Sequence, residues 1–268
     1  NSMIYFMKFL HKKDIEFIVI DRPNPINGEL LEGPVLQQKY SSFVGVLPVP
    51  VRHGLTCGES ALFAEKHFNL DLKLTVLKMK GWKRNMFYEE TGLQWFAPSP
   101  NMPTIETAIV YPGMCLLEGT NISEGRGTTQ PFLICGAPFI NAEQFSEVIN
   151  NYNCNGVFVK PFLFKPQFNK FSGEILSGIS IHVTDRRIFN SFDFGITIIH
   201  TLYTMYPEFQ FLDSVYEFNS EYPAVDLLCG TSGVREQIIN GNSIESIIGT
   251  YQSELQQHKH QMFDNHLY

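Results

Sequence analysis

Four stretches of the chain combine polar side chains with a backbone held in shape by proline or glycine: Asp21 to Glu32, His53 to Glu59, Trp95 to Thr104 and Glu118 to Thr128. The last of these sets two carboxylates, an amide and a guanidinium (Glu118, Glu124, Asn121 and Arg126) among glycines. Glycine tolerates positive φ and lets a backbone approach a ligand closely. In the third stretch Pro98, Pro100 and Pro103 crowd into six residues, which is costly unless one geometry is wanted. A charged Gly/Ser/Thr loop taken alone is more often a solvated turn, since loops are exposed by default. Nucleotide chemistry finds no support, because no GxGxxG follows the first strand and no GxxxxGK occurs. His53, Cys57 and Glu59 carry ligating atoms but lack the second cluster that a metal site would need. An ordered polar network at a helix start is the better role for His53 and Glu59. His258 and His260 fall in a polar tail and read as solvated.

These stretches need elements to place them. Met3, Ile4, Phe6, Met7 and Leu10 recur at helical spacing, with Lys12 and Lys13 at the end where cations suit the helix dipole. Glu16 to Ile20 is a short apolar, partly β-branched run of the kind that forms a buried parallel strand. A helix feeding such a strand is half of a βαβ unit, so a preceding strand is expected. Asp21-Arg22-Pro23-Asn24-Pro25 then stands at the strand's C-terminal edge, where open α/β sheets bind ligands, and its prolines stop the strand. After Pro34 the pattern predicts a short helix, a Pro/Val-rich segment and a helix near Thr56 to Phe68. A strand over Leu72 to Lys80, an irregular stretch from Gly81 to Pro103 and a helix from Thr104 to Gly113 follow. Beyond a loop from Cys115 to Pro131 the pattern predicts helices over 142–152, 194–206 and 243–256, with strands over 156–164 and 178–183. That change of character puts a boundary near residues 130–135.

Composition narrows the class. With 44% hydrophobic and only 18% charged residues, 268 residues can bury a full core, and the balance is opposite to that of disorder. Net charge is −7, and no Lys/Arg cluster appears, which argues against nucleic acid as a partner. No apolar stretch approaches the length of a membrane span. Five scattered cysteines without CxxC spacing read as buried free thiols rather than a disulfide framework. The 23 Phe and 11 Tyr favour an aromatic core and leave rings to spare for stacking on a ligand.

Together the motifs resemble one family, the NamZ-type exo-β-N-acetylmuramidases. The matching stretches are DRPNP (21–25), LEGP (31–34), HGLTCGE (53–59), GWKR (81–84), TGLQW (91–95) and PSPNMPT (98–104). YPGMCLLEGTNISEGRGTTQPF (111–132), GAPF (136–139) and IHVTD (181–185) continue the match, and Leu267-Tyr268 is similar to the family's tail. Cys57 and Ser60 depart from the pattern, standing where an aliphatic residue and Leu or Ile are expected. Family members carry a further segment upstream of the opening helix that supplies the first strands of a Rossmann-like sheet. The resemblance implies an α/β fold. Residues 1–132 would be the C-terminal part of a Rossmann-like catalytic domain, and residues 133–268 a smaller α+β auxiliary domain.

It also implies a chemistry. Relatives remove terminal N-acetylmuramic acid from the non-reducing end of peptidoglycan fragments, and glycoside hydrolysis uses two carboxyl groups flanking the bond, one of them protonated. Holding that proton takes desolvation or a neighbouring like charge. Glu32, Glu118 and Glu124 sit in Gly- or Pro-fixed loops and are the candidate catalytic carboxylates. Glu32 and Glu118 come first, with Glu124 able instead to pair with Arg126. The sugar's lactyl carboxylate suits an arginine, and Arg22, Arg84 and Arg126 are the candidates. Asn24, Asn101 and Asn121 suit hydroxyl and N-acetyl groups, and Asp21, His53 and Glu59 complete the candidate binding set. Trp82 and Trp95 offer stacking faces, although a tryptophan is more often plain core. The expected partner is a peptidoglycan-derived muropeptide or disaccharide, with no cofactor and no metal required. The expected location is the periplasm or the exterior, with the cytoplasm as the alternative.

Two other readings share some of these residues. A non-catalytic peptidoglycan-sugar-binding module would present the same groups without turnover. An esterase or amidase would want a Ser or Cys nucleophile beside a His; Ser60 follows Glu59, but no GxSxG elbow is present.

Overall fold

Helix α1 (Ser2–Leu10) turns Ile4, Met7 and Leu10 inward and leads into strand β1 (Glu16–Ile20). The computed structural model, which describes residues 1–262 and 266–268 (the side chains of 260–262 excepted), pairs β1 in parallel with β4 (Lys73–Leu77), in register from Glu16↔Lys73 to Ile20↔Leu77. Between them in sequence lie the antiparallel pair β2 (Glu32–Val35) and β3 (Pro50–Arg52) and helix α2 (Cys57–His67). Ile4, Met7, Val19, Ala61 and Ala64 form a small core with Leu74 and Val76 packed against it. The parallel pairing agrees with the sequence reading, but burial does not. Side chains alternate between the two faces of a strand, so Val19 enters the core while Ile18 and Ile20 stay 50% and 69% exposed.

A larger core runs from Ile105 to Tyr251 and includes Met114, Leu116, Phe132, Phe145, Phe192 and Ile198. Helix α3 (Ile105–Met114), capped by Thr104, crosses helix α5 (Ser191–Met205), capped by Asn190. A Cβ on Gly113 would stand 1.8 Å from the Ser191 carbonyl oxygen, so only glycine permits this crossing. The Ser191 hydroxyl seals it, donating to the Val110 carbonyl at 2.8 Å and accepting from the Gly113 amide at 3.0 Å. The core also takes in strands β5 (Ile134–Ala137), β6 (Val157–Phe164) and β7 (Leu176–Val183), an antiparallel sheet of order β5-β7-β6. Helices α4 (Ala142–Asn151), α6 (Ala224–Cys229), α7 (Gly233–Ile239) and α8 (Ile244–Met262) complete the described α-helices. Parallel and antiparallel pairs with interspersed helices make the fold α/β, as expected.

Helix α8 extends past the expected end at 256. Ile244, Ile247, Tyr251, Leu255 and His258 form one buried stripe at helical spacing. His258 is therefore a packed residue, 8% exposed, not a solvated one, and burial lowers its pKa; the His260 side chain lies outside the described residues. All five cysteines are free. Cys115, Cys135 and Cys229 are buried as expected, whereas Cys154 is half-buried and Cys57 is exposed on the first turn of α2. No described helix is long and apolar enough to cross a membrane.

Candidate functional site

The C-terminal edge of β1 opens into a dense polar network. Asp21 is buried and accepts on both carboxylate oxygens, from the Gly58 amide (2.7 Å) and Arg22 amide (2.9 Å) on one and from the hydroxyls of Thr56 (2.7 Å) and Tyr268 (2.8 Å) on the other. Thr56 caps α2, and Glu59 closes a capping box by accepting the Thr56 amide at 2.9 Å. The other Glu59 oxygen receives Arg84 at 2.6 Å and the Leu267 amide at 2.9 Å. Arg84 Nη2 donates to the carbonyls of Gly28 and Gly54, each at 2.9 Å. Trp82 is buried, with Tyr268 edge-on to its ring at 5.2 Å. Tyr268 also accepts the Met79 amide, and burial above all pushes its phenol up to about 12.

His53 borders this network. Its Nδ1 accepts the Leu55 amide at 3.0 Å, so the neutral ring carries its proton on Nε2. Burial lowers its pKa to about 4, which keeps the ring neutral at physiological pH. Asn24 is spent on turn geometry, donating to the Leu55 carbonyl and accepting the Ile26 amide. Arg22 differs from its neighbours: it is exposed, and among the described residues its guanidinium makes no hydrogen bond or ion pair.

Glu32 belongs to another cluster. It is buried, one oxygen receiving Arg52 and the other the Phe192 amide at the start of α5, at 3.0 Å. Arg52 also reaches the Ile26 carbonyl. Nearby on α5, Asp193 takes the Tyr251 hydroxyl at 2.6 Å, and burial raises its pKa.

The third cluster is built on the glycine-rich loop. Glu118 lies in the 3₁₀ turn Cys115–Gly119, one residue before its end. Gly125 and Gly127 take φ values of +78° and +82° on either side of Arg126, and a Cβ on Gly127 would lie 2.4 Å from the Phe168 carbonyl oxygen. This turn aims Arg126 back along its own loop, with Nη2 2.7 Å from Glu118 and Nε 3.3 Å from Glu124. The guanidinium lies 5.2 Å from the centre of the Phe132 ring. Burial works against its charge, but the two carboxylates outweigh burial and raise the pKa. Lys170 ties the loop down, donating to Glu124 (3.0 Å) and to the carbonyls of Leu117 (2.8 Å) and Ile122 (3.0 Å). The second Glu118 oxygen accepts the hydroxyl of Tyr216 at 2.8 Å. Burial first, then the Glu118 charge, pushes that phenol well above its ordinary value, so it remains a donor.

The structure thus gathers Glu118, Glu124 and Arg126 at one point, and Asp21, Glu59, Trp82 and Arg84 at another. Among the described residues, no hydrogen bond or ion pair joins Glu32 to Glu118. Asn121 pins the 208–210 segment, bonding the Glu208 carbonyl at 2.7 Å and the Gln210 amide at 2.9 Å. Asn101 sits half-buried in the proline-rich loop, and its amide meets Ser99 Oγ. Trp95 donates to the Pro103 carbonyl and stands edge-on to Tyr88. The sequence reading missed Arg52, Lys170 and Tyr216, since nothing in their local sequence marks them.

Comparison with known proteins gives a consistent result. The family descriptions "Exo-beta-N-acetylmuramidase NamZ, N-terminal" and "Exo-beta-N-acetylmuramidase NamZ, C-terminal" match residues 1–106 and 109–268. A Bacillus subtilis (strain 168) protein named peptidoglycan beta-N-acetylmuramidase NamZ is 44% identical over 257 residues, 96% of this chain. The chain spans 60% of that curated relative's length. Two crystal structures of DUF1343 family proteins from Bacteroides fragilis NCTC 9343 match with TM-scores of 0.87 and 0.78, at 30% and 28% identity. They cover 98% and 100% of this chain, which covers 68% and 70% of theirs.

Proposed function

The chain belongs to the NamZ exo-β-N-acetylmuramidase family, and from that membership we propose that it takes part in hydrolysing terminal N-acetylmuramic acid from the non-reducing end of peptidoglycan fragments. The observation that carries this reading is the setting of Glu118. Its side chain is 12% exposed, against 4% each for Glu32 and Glu124, so it is the most open of the three candidate carboxylates. One donor on each oxygen, from Arg126 and from Tyr216, fixes the plane of the carboxylate. A carboxylate so held suits the ionised member of a glycosidase pair, the one that attacks the sugar or activates water.

We give Glu32 and Glu124 supporting parts, since each is more deeply buried, Glu32 against Arg52 and Glu124 between Arg126 and Lys170. The second carboxyl group of the reaction is then sought in the part of the relatives' length that this chain does not span. Arg22, exposed and uncommitted, is our candidate for pairing with the lactyl carboxylate; Arg84 and Arg126 already serve carboxylates of the protein. From the nature of this substrate we propose the periplasm or the exterior as the site of activity, with the cytoplasm as the alternative.

The test is an assay of the protein at its natural full length on a muramyl-glucosamine disaccharide. Release of free N-acetylmuramic acid, with N-acetylglucosaminides left intact, is the expected result. Release of a terminal glucosaminide, or no hydrolysis at all, overturns the reading.

A further inference from the structure

Tyr216 reaches Glu118 from a segment 98 residues further along the chain. The base of that segment is stitched to the residues beside Glu118. The Leu212 amide donates to the Gly119 carbonyl at 2.9 Å, Thr120 bridges to Phe211, and the Asn121 amide donates to the Gln210 carbonyl at 3.0 Å. Beyond the base, Tyr216 and Asn219 exchange amide-to-carbonyl hydrogen bonds of 2.9 Å, closing a two-residue turn over Glu217 and Phe218.

Both turn residues adopt left-handed backbone, with φ of +43° and +69°, where such turns normally place Asn and Gly. Side chains with a Cβ adopt it at a steric cost. The turn itself stands at the surface, with Phe218 89% exposed and edge-on to Phe43 at 5.9 Å, and beyond it Tyr222 stands edge-on to Tyr40 at 4.8 Å. The inner end of the same turn delivers one polar contact, the Tyr216 hydroxyl on the free oxygen of Glu118.

We propose that Tyr216 is a positioning residue for the reaction, brought in by the segment stitched beside Gly119 to Asn121 so that its hydroxyl fixes the Glu118 carboxylate in its working orientation. This rests on the reading of Glu118 given above. Without the hydroxyl, Arg126 alone grips one oxygen, and the carboxylate is free to rotate about that single contact. The tyrosine acts through the glutamate, so its loss changes the rate of the chemical step and leaves substrate affinity alone.

Tyr216→Phe in the natural full-length protein, assayed on the muramyl-glucosamine disaccharide, tests this. The expected result is a fall in kcat of tenfold or more, with KM within twofold and Tm unchanged. An active wild type whose Y216F variant keeps its kcat overturns the inference but leaves the muramidase reading standing. A loss of kcat that tracks a loss of Tm also overturns it, since it marks a structural tyrosine. If the wild type itself does not hydrolyse the disaccharide, the muramidase reading fails first, and crystal structures of both proteins decide the positioning claim. A Glu118 carboxylate that turns or becomes disordered in Y216F supports it; one that is ordered and unmoved overturns it.

Discussion

Arg52 and Glu32 are direct cross-strand partners in the β2–β3 pair and close an ion pair in which 2% of one side chain and 4% of the other is exposed. Removing one partner of such a pair leaves a buried charge without compensation, which costs roughly 3–5 kcal/mol. Glu32→Gln is therefore expected to lower Tm sharply in thermal denaturation. Glu118→Gln is expected to lower Tm less, since Arg126 keeps Glu124, while cutting turnover by orders of magnitude. A Glu32→Gln protein that keeps its Tm and loses turnover would move Glu32 into the reacting pair.

The lactyl group gives a second prediction. A charge-assisted hydrogen bond is worth roughly 1.5–3 kcal/mol, so Arg22→Ala should weaken binding of an N-acetylmuramic acid ligand about tenfold or more. Binding of the lactyl-free counterpart should hardly change. Arg126→Lys should instead weaken both ligands alike and lower Tm, because a lysine cannot bridge Glu118 and Glu124 as a planar fork does. Titration calorimetry with the two sugars separates these outcomes. Selective loss of the lactyl sugar in the Arg126 variant would reverse the assignment.

His53 sets a pH dependence. Its folded pKa is near 4, against about 6.5 when unfolded, and burial is the main cause. Above pH 6.5 the ring is neutral in both states and costs nothing. As pH falls from 6.5 toward 4 the unfolded chain takes up the proton first, so stability is lost across that window. His53→Asn keeps an acceptor near the Leu55 amide without titrating, and it should flatten Tm against pH between 6.5 and 4. An unchanged slope would remove His53 from the account.

The sequence showed α1 to α5, β1, β4, β6 and β7 because each has enough residues to display a period or a cap. It did not show β2, β3 or β5, which have three or four residues, nor α6 and α7, which have too few turns for a stripe to register. His258 was misread for a related reason. Its neighbours Gln256, Gln257 and Lys259 are polar, yet the buried stripe of α8 continues one turn through it. In the candidate site, Glu118, Glu124 and Arg126 were legible because one glycine-rich loop carries all three. Arg52, Lys170 and Tyr216 were not, because their partners lie 20, 46 and 98 residues away and only the fold brings them together.

Trp82 offers a spectroscopic probe, as the protein has only two tryptophans. In a Trp95→Phe background, Tyr268→Ala should red-shift the emission of Trp82 and raise its quenching by acrylamide, because the edge-on ring is gone. Tyr268→Phe should keep the shielding. It should still lower stability by about 1–2 kcal/mol through its lost contacts with Asp21 and the Met79 amide. Unaltered emission in the alanine variant would show that Trp82 does not depend on the tyrosine for cover.

The same two residues bear on how the protein is made. Leu267 and Tyr268 meet Glu59 and Asp21 across 208 and 247 residues of sequence. On the ribosome, the turn after β1 and the start of α2 emerge long before the residues that complete their hydrogen bonds. Contacts of such separation are slow to form, so this corner of the fold stays open while the residues between are made and closes only once Leu267 and Tyr268 have left the exit tunnel. A chain that stopped short of Leu267 would therefore carry every residue of the turn after β1 and of α2 and still leave this polar cluster unclosed.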